Sequence, residues 1–408
     1  MATENSLTKT AIETNVTPGS ISLFFYLGEG YTYIFGRPWP AWLGGLLLGV
    51  TNFAMFAYAS VWFIYGGFNL AGSWLISFTG ITPAANLVNP LTNTGFVHDG
   101  AIILGAFISC LMASSFRIRM PRRKIRLAEG FIGGLIMGVG AMLAPGCNIG
   151  GFFSAIASFS LSGFVMLFAL AGGAYSGVLI ARWRLKREIR SGTLATYERK
   201  VLPAQGPHSF AWKQPIIGLL VLLVSLALFE VALGYDSKLG VFLMFGLVFG
   251  FILQRTGFCF TASFRDMFTS GDGRLARGVI VAIGVAMLGF SILQGTGIRQ
   301  PFVLPVGWHT LVGGYIFGLG MVIAGGCASG TLFRIGEGSI QLLFALPGGM
   351  LGAALFSTLL KAVNFQYGSP IWLVDTLGWH WALFSGFGFL AVWLIVVQWN
   401  EIRRRKIR

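Results

Sequence analysis

The composition of this 408-residue chain excludes most classes of soluble protein. Apolar residues make up 55% of the chain and charged residues only 11%, whereas about a quarter of the residues in a soluble domain are charged. Together with 58 glycines, this composition predicts an all-α, polytopic helical membrane protein that lies in the lipid bilayer. It argues against a soluble enzyme, a disordered chain and a nucleic-acid partner.

The net charge of +15 does not by itself indicate an acidic partner, because the basic residues are grouped. Most of the 29 Lys and Arg residues fall in four short segments between apolar runs, at 117–126, 182–200, 265–277 and 403–408. Short basic segments that flank membrane spans face the cytoplasm under the positive-inside rule. The charge therefore predicts topology, with these four segments inside the cell.

The first predicted elements lie in residues 1–41, as a polar tail followed by a helix at the membrane interface over Ile21–Phe35. That segment is apolar, but it is too short to span a bilayer and carries Glu29. Beyond it, we expect about ten crossings, or nine if a pair of short helices does not span. Runs that approach or reach the roughly 20 apolar residues of a spanning helix include Ala101–Phe116, Gln214–Leu233 and Trp379–Trp399.

The chain also contains an internal repeat. The glycine pair and cysteine loop of residues 133–150 recur 180 positions later at 313–330. Further on, the Leu-Phe-Ala-Leu and Gly-Gly elements of 167–173 recur at 343–349. Two copies of one architecture are therefore predicted.

Charge predicts that the two copies have opposite orientations in the membrane. The span 100–116 is followed by the basic segment at Arg117, whereas the matching span 278–298 is preceded by Arg274 and Arg277. Inverted repeats with broken or re-entrant helices are typical of secondary transporters, whose sites lie near the membrane midplane. Duplication without a transport function is the alternative. The predicted regions are the N-terminal segment 1–41, repeat 1 at 42–181, a basic cytoplasmic loop and linking helix at 182–242, repeat 2 at 243–360, and a last helix with a basic cytoplasmic tail at 361–408.

Three of the four cysteines lie where apolar helices are interrupted. Pro145-Gly146 precedes Cys147, Gly325-Gly326 precedes Cys327, and Cys259 follows a similar break. Broken backbone at membrane depth is tolerated where it is buried in protein or lines a cavity, so these loops are predicted to line a passage. No cysteine pair or neighbouring His, Asp or Glu has metal-ligand spacing, so we predict no metal and no cofactor. Cys110 is interpreted as a small buried apolar residue.

The residues around these loops favour a small anion. A helix that begins after each cysteine directs its free N–H groups and positive dipole end at the loop. Arg255 and Arg334 are basic residues inside apolar segments, although Arg334 could instead form a structural ion pair with Glu337. Because thiols are soft and polarizable, a sulfur anion fits better than sulfate, chloride or phosphate. The candidate binding residues are Cys147, Cys259, Cys327, Asn148, Arg255, Ser329, Thr331, Arg334, Gly146 and Gly326.

At these loops the sequence resembles the YeeE/YedE family of sulfur-transport membrane proteins. Residues 313–338 and 254–268 carry the resemblance, Pro145-Gly146-Cys147 is similar to the family's remaining cysteine loop, and most of 42–399 is covered. The resemblance implies thiosulfate uptake across the bacterial inner membrane through an hourglass-shaped inverted repeat with short, non-spanning helices. It also implies that three loop cysteines pass the ion inward by successive S–H contacts without a covalent intermediate. Those roles fall on Cys259, Cys327 and Cys147.

The resemblance further implies a small soluble sulfur-carrier protein as a partner, and some relatives of the YedE branch are linked to selenium metabolism. One feature departs from the thiosulfate-uptake members. Here the half with a single loop cysteine comes first, whereas in those members the two-cysteine half leads. This order points to a branch with a different substrate.

We therefore predict a non-enzymatic inner-membrane transporter for thiosulfate or a related small sulfur anion. One alternative is a transporter of a selenium species or of another sulfur compound. A second is a membrane enzyme, either a thiol–disulfide oxidoreductase or a sulfurtransferase that carries sulfur as a cysteine persulfide. A third is a channel for another anion.

Overall fold

The computed structural model describes residues 23–80, 87–121, 123–190 and 213–405. Ten of the helices in these residues are long and apolar enough to cross a membrane, which confirms the predicted all-α, polytopic fold and its number of spans. The helices are α1 Leu23–Phe35, α2 Ala41–Tyr58, α3 Tyr65–Ser77, α4 Thr94–Met112, α5 Ile125–Leu143, α6 Asn148–Ala157, α7 Leu161–Arg190, α8 Gln214–Tyr235, α9 Ser237–Thr256, α10 Phe260–Thr269, α11 Arg274–Gly295, α12 Trp308–Ala324, α13 Ala328–Gly336, α14 Ile340–Ala362 and α15 Leu373–Arg405.

Helix α1 belongs to an N-terminal unit, residues 1–37, and residues 38–408 form a second compact unit. At 13 residues α1 is shorter than a spanning helix. The helix begins at Leu23, so the first residues of the predicted Ile21–Phe35 segment lie outside the described part of the chain. The interfacial position of α1 stays a prediction.

Helices at equivalent places in the two copies exchange their packing partners. Helix α4 packs against α9, and α2 packs against α11; α5 packs against α14, and α12 packs against α7. Each of these contacts has a counterpart in the other copy, as a two-fold relation requires. In the predicted repeat, the equivalent pairs are α2 with α9, α3 with α10, α4 with α11, α5 with α12, α6 with α13 and α7 with α14.

The central contact of the bundle joins the equivalent helices α5 and α12. Gly133 lies against Ala324 near one end of the crossing, and Gly140 lies against Gly313 near the other. The helices therefore run in opposite directions, and their glycines let the two backbones approach closely. This antiparallel crossing agrees with an inverted repeat, although the repeat boundaries and the orientation in a bilayer stay predictions.

The two ends of the bundle differ in charge. At the basic end, an ion pair connects Arg119, in the segment before α5, with Glu337, directly after α13, 3.0 Å apart. A second ion pair connects α7 with α5 through Arg184 and Glu129, 2.9 Å apart. The opposite, sparsely charged end is joined mainly by neutral hydrogen bonds, such as that from the Trp372 indole to the Ser158 carbonyl. Short helices α10 and α13 lie at the basic end, and α6 lies at the other.

Candidate functional site

Each of the three loop cysteines immediately precedes a short helix. The Cys147 sulfur accepts a hydrogen bond from the Ile149 N–H, and the Cys327 sulfur accepts one from the Gly330 N–H. Cys259 is the residue before α10. The sequence predicted these helix starts correctly because the glycine and proline residues before them interrupt the preceding helices. The three sulfurs are thus placed where helical N–H groups converge.

Cys259 and Cys327 form a thiol pair. Their sulfurs are 3.9 Å apart and both side chains are buried. Backbone N–H groups of Ala262 and Cys327 face the Cys259 sulfur, while the Thr261 N–H faces the Cys327 sulfur. The arrangement offers two soft sulfur atoms and several N–H donors within one small volume.

Gly330 allows this close approach of the two thiols. A side-chain carbon at Gly330 would lie 3.0 Å from the Cys259 sulfur and 3.1 Å from the Cys327 sulfur. Both distances are shorter than ordinary van der Waals contact between carbon and sulfur. A residue larger than glycine would therefore compete for the space beside the thiol pair.

Cys147 is a single thiol towards the sparsely charged end. Its surroundings include Tyr65 of α3, whose phenol interacts electrostatically with both Cys147 and Cys327. Asp99 of α4 lies within electrostatic range of Cys147. Tyr65 and the three cysteines belong to one cluster of buried side chains.

Several buried polar atoms near the thiols have no hydrogen-bond partner among the described residues. A buried polar group without a partner destabilises the protein by about 1–3 kcal/mol, so a concentration of such groups calls for an explanation. Asn148 follows Cys147 directly, Thr261 lies two residues after Cys259, and Thr331 lies four after Cys327. These groups can bind the oxygen atoms of an anion. The unpartnered atoms in this region are Trp62 Nε1, Tyr65 Oη, His98 Nε2, both Asp99 carboxyl oxygens, Asn148 Oδ1 and Nδ2, Thr261 Oγ1 and Thr331 Oγ1.

The two predicted arginines occupy different surroundings. Arg334 donates to the Gly325 carbonyl at 3.3 Å and lies within electrostatic range of Cys259. Its alternative partner Glu337 instead pairs with Arg119. Arg255 is buried in the last turn of α9 and lies within electrostatic range of Cys110. The structure therefore brings Arg334 to the thiol pair, whereas Arg255 lies near the end of α4.

The remaining candidates have mainly local roles. The Ser329 hydroxyl lies 3.6 Å from the Cys327 sulfur. A side chain at Gly146 would meet the backbone of Gly151, so this glycine permits a tight loop. The left-handed backbone before Cys327 falls at Gly325, with a φ of 87°, and not at Gly326. Cys110 is buried, and its sulfur lies 3.3 Å from the Ser115 hydroxyl, in agreement with a structural role.

A cavity of about 790 Å³ opens at the basic end. Its lining includes Thr256 and Gly257, which lead into Cys259, and the charged residues Asp272, Arg274 and Arg277. The cavity therefore lies on the side of the basic segments, next to the chain segment that precedes Cys259.

Sequence reasoning missed Tyr65, His98, Asp99 and Thr261. The apolar run in the sequence begins at Ala101, so Asp99 falls outside the predicted span. In the structure α4 begins at Thr94, because the Asn93 side chain accepts a hydrogen bond from the Phe96 N–H and caps the helix. An acidic residue inside a spanning helix is itself a signal for a functional site.

Comparison with known proteins connects this geometry to sulfur transport. The sequence profile described as "Sulphur transport" matches residues 12–176 and 255–408. The chain is 31% identical to the "Probable transporter YedE" of Escherichia coli strain K12 over 336 residues, 79% of this chain and 81% of the relative.

Shorter matches are to proteins named for thiosulfate. The chain is 43% identical over 105 residues to the "Thiosulfate transporter TsuA" of Escherichia coli strain K12, 26% of this chain and 30% of that protein. It is 38% identical over 135 residues to the protein of the same name from Spirochaeta thermophila, 32% of this chain and 41% of the relative.

Proposed function

This chain belongs to the sulphur-transport family, and on that premise we propose that it takes up thiosulfate or a related small sulfur anion across the bacterial inner membrane. The names of the TsuA relatives support thiosulfate as the substrate. The positive-inside rule supports an orientation with the basic end in the cytoplasm. In that orientation, Cys147 lies towards the periplasm and the thiol pair towards the cytoplasm.

The single observation that carries this proposal is the buried series of thiols with unpartnered polar groups beside them. An entering anion meets Cys147 and Asn148 first, passes Tyr65, and then reaches the thiol pair. Helical N–H groups at the starts of α6, α10 and α13 stabilise its charge. Ser329, Thr331 and Arg334 supply further donors on the cytoplasmic side.

Weak sulfur contacts suit conduction. A pathway must bind its ion well enough to replace water but weakly enough to release it, and S–H groups are weak hydrogen-bond donors. Three thiols in sequence provide several such contacts without one deep binding site. The sulfurs are no more than 1% exposed, so the anion leaves water before it reaches them.

One observation favours a second candidate, a thiol–disulfide enzyme. The 3.9 Å contact between Cys259 and Cys327 would let the two sulfurs join after oxidation by an external disulfide. Such chemistry predicts a mixed disulfide with the oxidant, and a sulfurtransferase predicts a persulfide, heavier by one sulfur atom. Mass spectrometry of protein isolated during turnover distinguishes both from the transporter, which should retain unmodified thiols.

The test is uptake by the purified protein in proteoliposomes. Labelled thiosulfate should enter, and unlabelled thiosulfate should compete better than sulfate, sulfite or selenite. Cys147→Ala and Cys327→Ala should each abolish uptake in vesicles and thiosulfate-dependent growth in cells, while the protein still reaches the membrane. Cys110→Ala is the matched control and should transport normally. Unchanged uptake in both loop variants would contradict the relay, and stronger competition by selenite would favour a selenium substrate.

A further inference from the structure

The carboxyl group of Asp99 is not needed for a relay of thiols, yet it is buried at the start of α3, which the Cys147 sulfur also approaches. Its side chain is in the first turns of α4, and the residue is only 5% exposed. Neither carboxyl oxygen has a hydrogen-bond partner among the described residues. Because a buried, unpaired carboxylate is strongly destabilised by the loss of water, these surroundings favour the neutral carboxyl group with its proton bound.

The immediate neighbours of Asp99 place it on the pathway. The carboxyl group packs against Gly67 in the first turn of α3, where a side chain would occupy its space. The N–H of Ile64, the residue before α3, faces the Cys147 sulfur, and Cys147 lies within electrostatic range of Asp99. On the same helix as Asp99, His98 bonds through Nδ1 to the Phe242 carbonyl at 3.0 Å, and its Nε2 has no partner among the described residues. An anion at Cys147 would therefore come close to this carboxyl group.

Charged groups on the surrounding helices do not contact the Asp99 carboxyl group, since neither oxygen has a partner in the described chain. Glu230 and Lys238 are exposed. Arg334 lies near the thiol pair, and Arg255 lies near Cys110, eleven residues further along α4. The titratable groups on the helices packed against α4 are Tyr65 of α3, Glu230 and Tyr235 of α8, Lys238 and Arg255 of α9, and Arg334 of α13.

We propose that Asp99 is a proton-binding site and that the protein is a proton–anion symporter. This inference rests on the proposed uptake of a sulfur anion. Thiosulfate carries two negative charges, so the membrane potential, which is negative inside the cell, opposes its entry. A proton that enters with the anion offsets one of these charges. The protonated carboxyl group can also donate a hydrogen bond to the anion, which a carboxylate cannot do. The proton is bound from the periplasmic side and released to the cytoplasm with the anion.

The experiment measures thiosulfate accumulation in proteoliposomes under different proton gradients, with the membrane potential clamped by potassium and valinomycin. If one proton enters with each anion, the steady-state accumulation ratio rises about tenfold for each unit of inward pH gradient. A pH dye inside the vesicles should report acidification when thiosulfate is added. Asp99→Asn, which has nearly the same shape but cannot release a proton, should lose both responses, and any thiosulfate exchange that remains should not depend on the pH gradient.

Asp375→Asn is the matched control, because the Asp375 carboxyl group is exposed in the first turn of α15. It should retain the gradient response and the acidification. A measurement on the unaltered protein gives independent support: dicyclohexylcarbodiimide, which attacks protonated carboxyl groups in apolar surroundings, should label Asp99 and stop uptake. Labelling confined to other carboxyl groups would overturn the proposal.

The remaining outcomes separate this inference from the proposed function. Thiosulfate uptake by the unaltered protein without a gradient response or acidification would overturn the proton site and leave sulfur-anion transport intact. An Asp99→Asn protein that still accumulates thiosulfate under a proton gradient would also overturn it. The absence of thiosulfate exchange under every condition would instead contradict the proposed function itself.

Discussion

The single thiol and the thiol pair occupy related places in the two copies of the fold but differ in chemistry. Cys147 and Cys327 both precede a short helix and both accept a backbone hydrogen bond. Cys327 has a second thiol 3.9 Å away and lies towards the basic end, whereas Cys147 is near the carboxyl group of Asp99. The two sites therefore share a helix start after the cysteine, while the residues beside it differ: a second thiol and Arg334 lie near Cys327, and a buried carboxyl group lies near Cys147.

The largest difference between the two sites should be their response to a soft metal ion. Hg²⁺ should bridge the thiol pair, because both sulfurs can bind one ion, whereas Cys147 offers only one sulfur. Such a chelate strengthens binding by about a hundredfold or more. Inhibition of thiosulfate uptake by Hg²⁺ should therefore weaken by about that factor in Cys259→Ser, measured on its residual uptake or exchange.

The matched control for this comparison is Cys110→Ser, since Cys110 is buried away from the pair and hydrogen-bonds to Ser115. Its Hg²⁺ sensitivity should equal that of the unaltered protein. Hg²⁺ should be applied and washed out before thiosulfate is supplied, because thiosulfate itself binds Hg²⁺ and would lower the concentration of free metal. Equal sensitivity in Cys259→Ser and the unaltered protein would show that the pair does not act as one site.

The next largest effect should come from Gly330→Ala, which places a methyl group about 3 Å from both paired sulfurs. Overpacking of this kind costs about 1–3 kcal/mol, so uptake should fall roughly tenfold to hundredfold if the space carries the anion. Gly388→Ala is the control, because nothing lies within 4 Å of its added carbon. Normal uptake by Gly330→Ala would remove the thiol pair from the pathway.

Thr331→Val should have two smaller effects in opposite directions, a gain in stability of the empty protein and a loss of affinity for the anion. The Thr331 hydroxyl is buried without a partner among the described residues, so its removal should stabilise the empty protein by about 1 kcal/mol. If the hydroxyl binds the anion, KM should rise about tenfold. Thermal unfolding and uptake kinetics measure the two effects. Thr358→Val removes a hydroxyl already bonded to the Ala354 carbonyl and should leave KM unchanged, and an unchanged KM in Thr331→Val would contradict the proposed binding role.

The local features of this fold were predictable from sequence. Apolar runs gave the approximate number of spans, since hydropathy is a property of each segment alone. Glycine and proline marked the breaks before Cys147 and Cys327, because backbone restrictions act within a few residues. The same local information could identify the cysteines as candidates, but it could not give their distances.

Contacts between distant segments were not predictable from sequence. Cys259 and Cys327 are 68 residues apart in the chain, and their contact depends on how α10 and α13 pack. The sequence offers Glu337 as a partner of the nearby Arg334, yet Glu337 pairs with Arg119, 218 residues away. Several side chains of similar chemistry could form each of these contacts. Which one does so depends on how the helices pack in the assembled bundle.

The smallest effect should come from the basic end itself, at the cavity residues Asp272 and Arg274. The Arg274 guanidinium donates to the Asp272 carboxylate at 2.7 Å, and this hydrogen bond lowers the pKa of Asp272. Because the pKa is lower in the folded protein, the pair stabilises it above the ordinary carboxyl pKa of about 4 and ceases to do so as the pH falls through the folded value. The Arg274 side chain is 77% exposed, so the contribution should be about 0.5 kcal/mol or less.

Asp272→Asn removes only the negative charge of the side chain, because the amide oxygen can still accept the hydrogen bond from the Arg274 backbone N–H. The variant should lower Tm by about 1 °C or less at neutral pH, and the difference should disappear in acid and shrink in high salt. Thiosulfate uptake should stay nearly unchanged, since transport is proposed to depend on buried groups near the thiols. A large loss of uptake in Asp272→Asn, comparable with that of Gly330→Ala, would instead place a charge-dependent step at the cavity of the basic end and weaken the contrast between the two thiol sites.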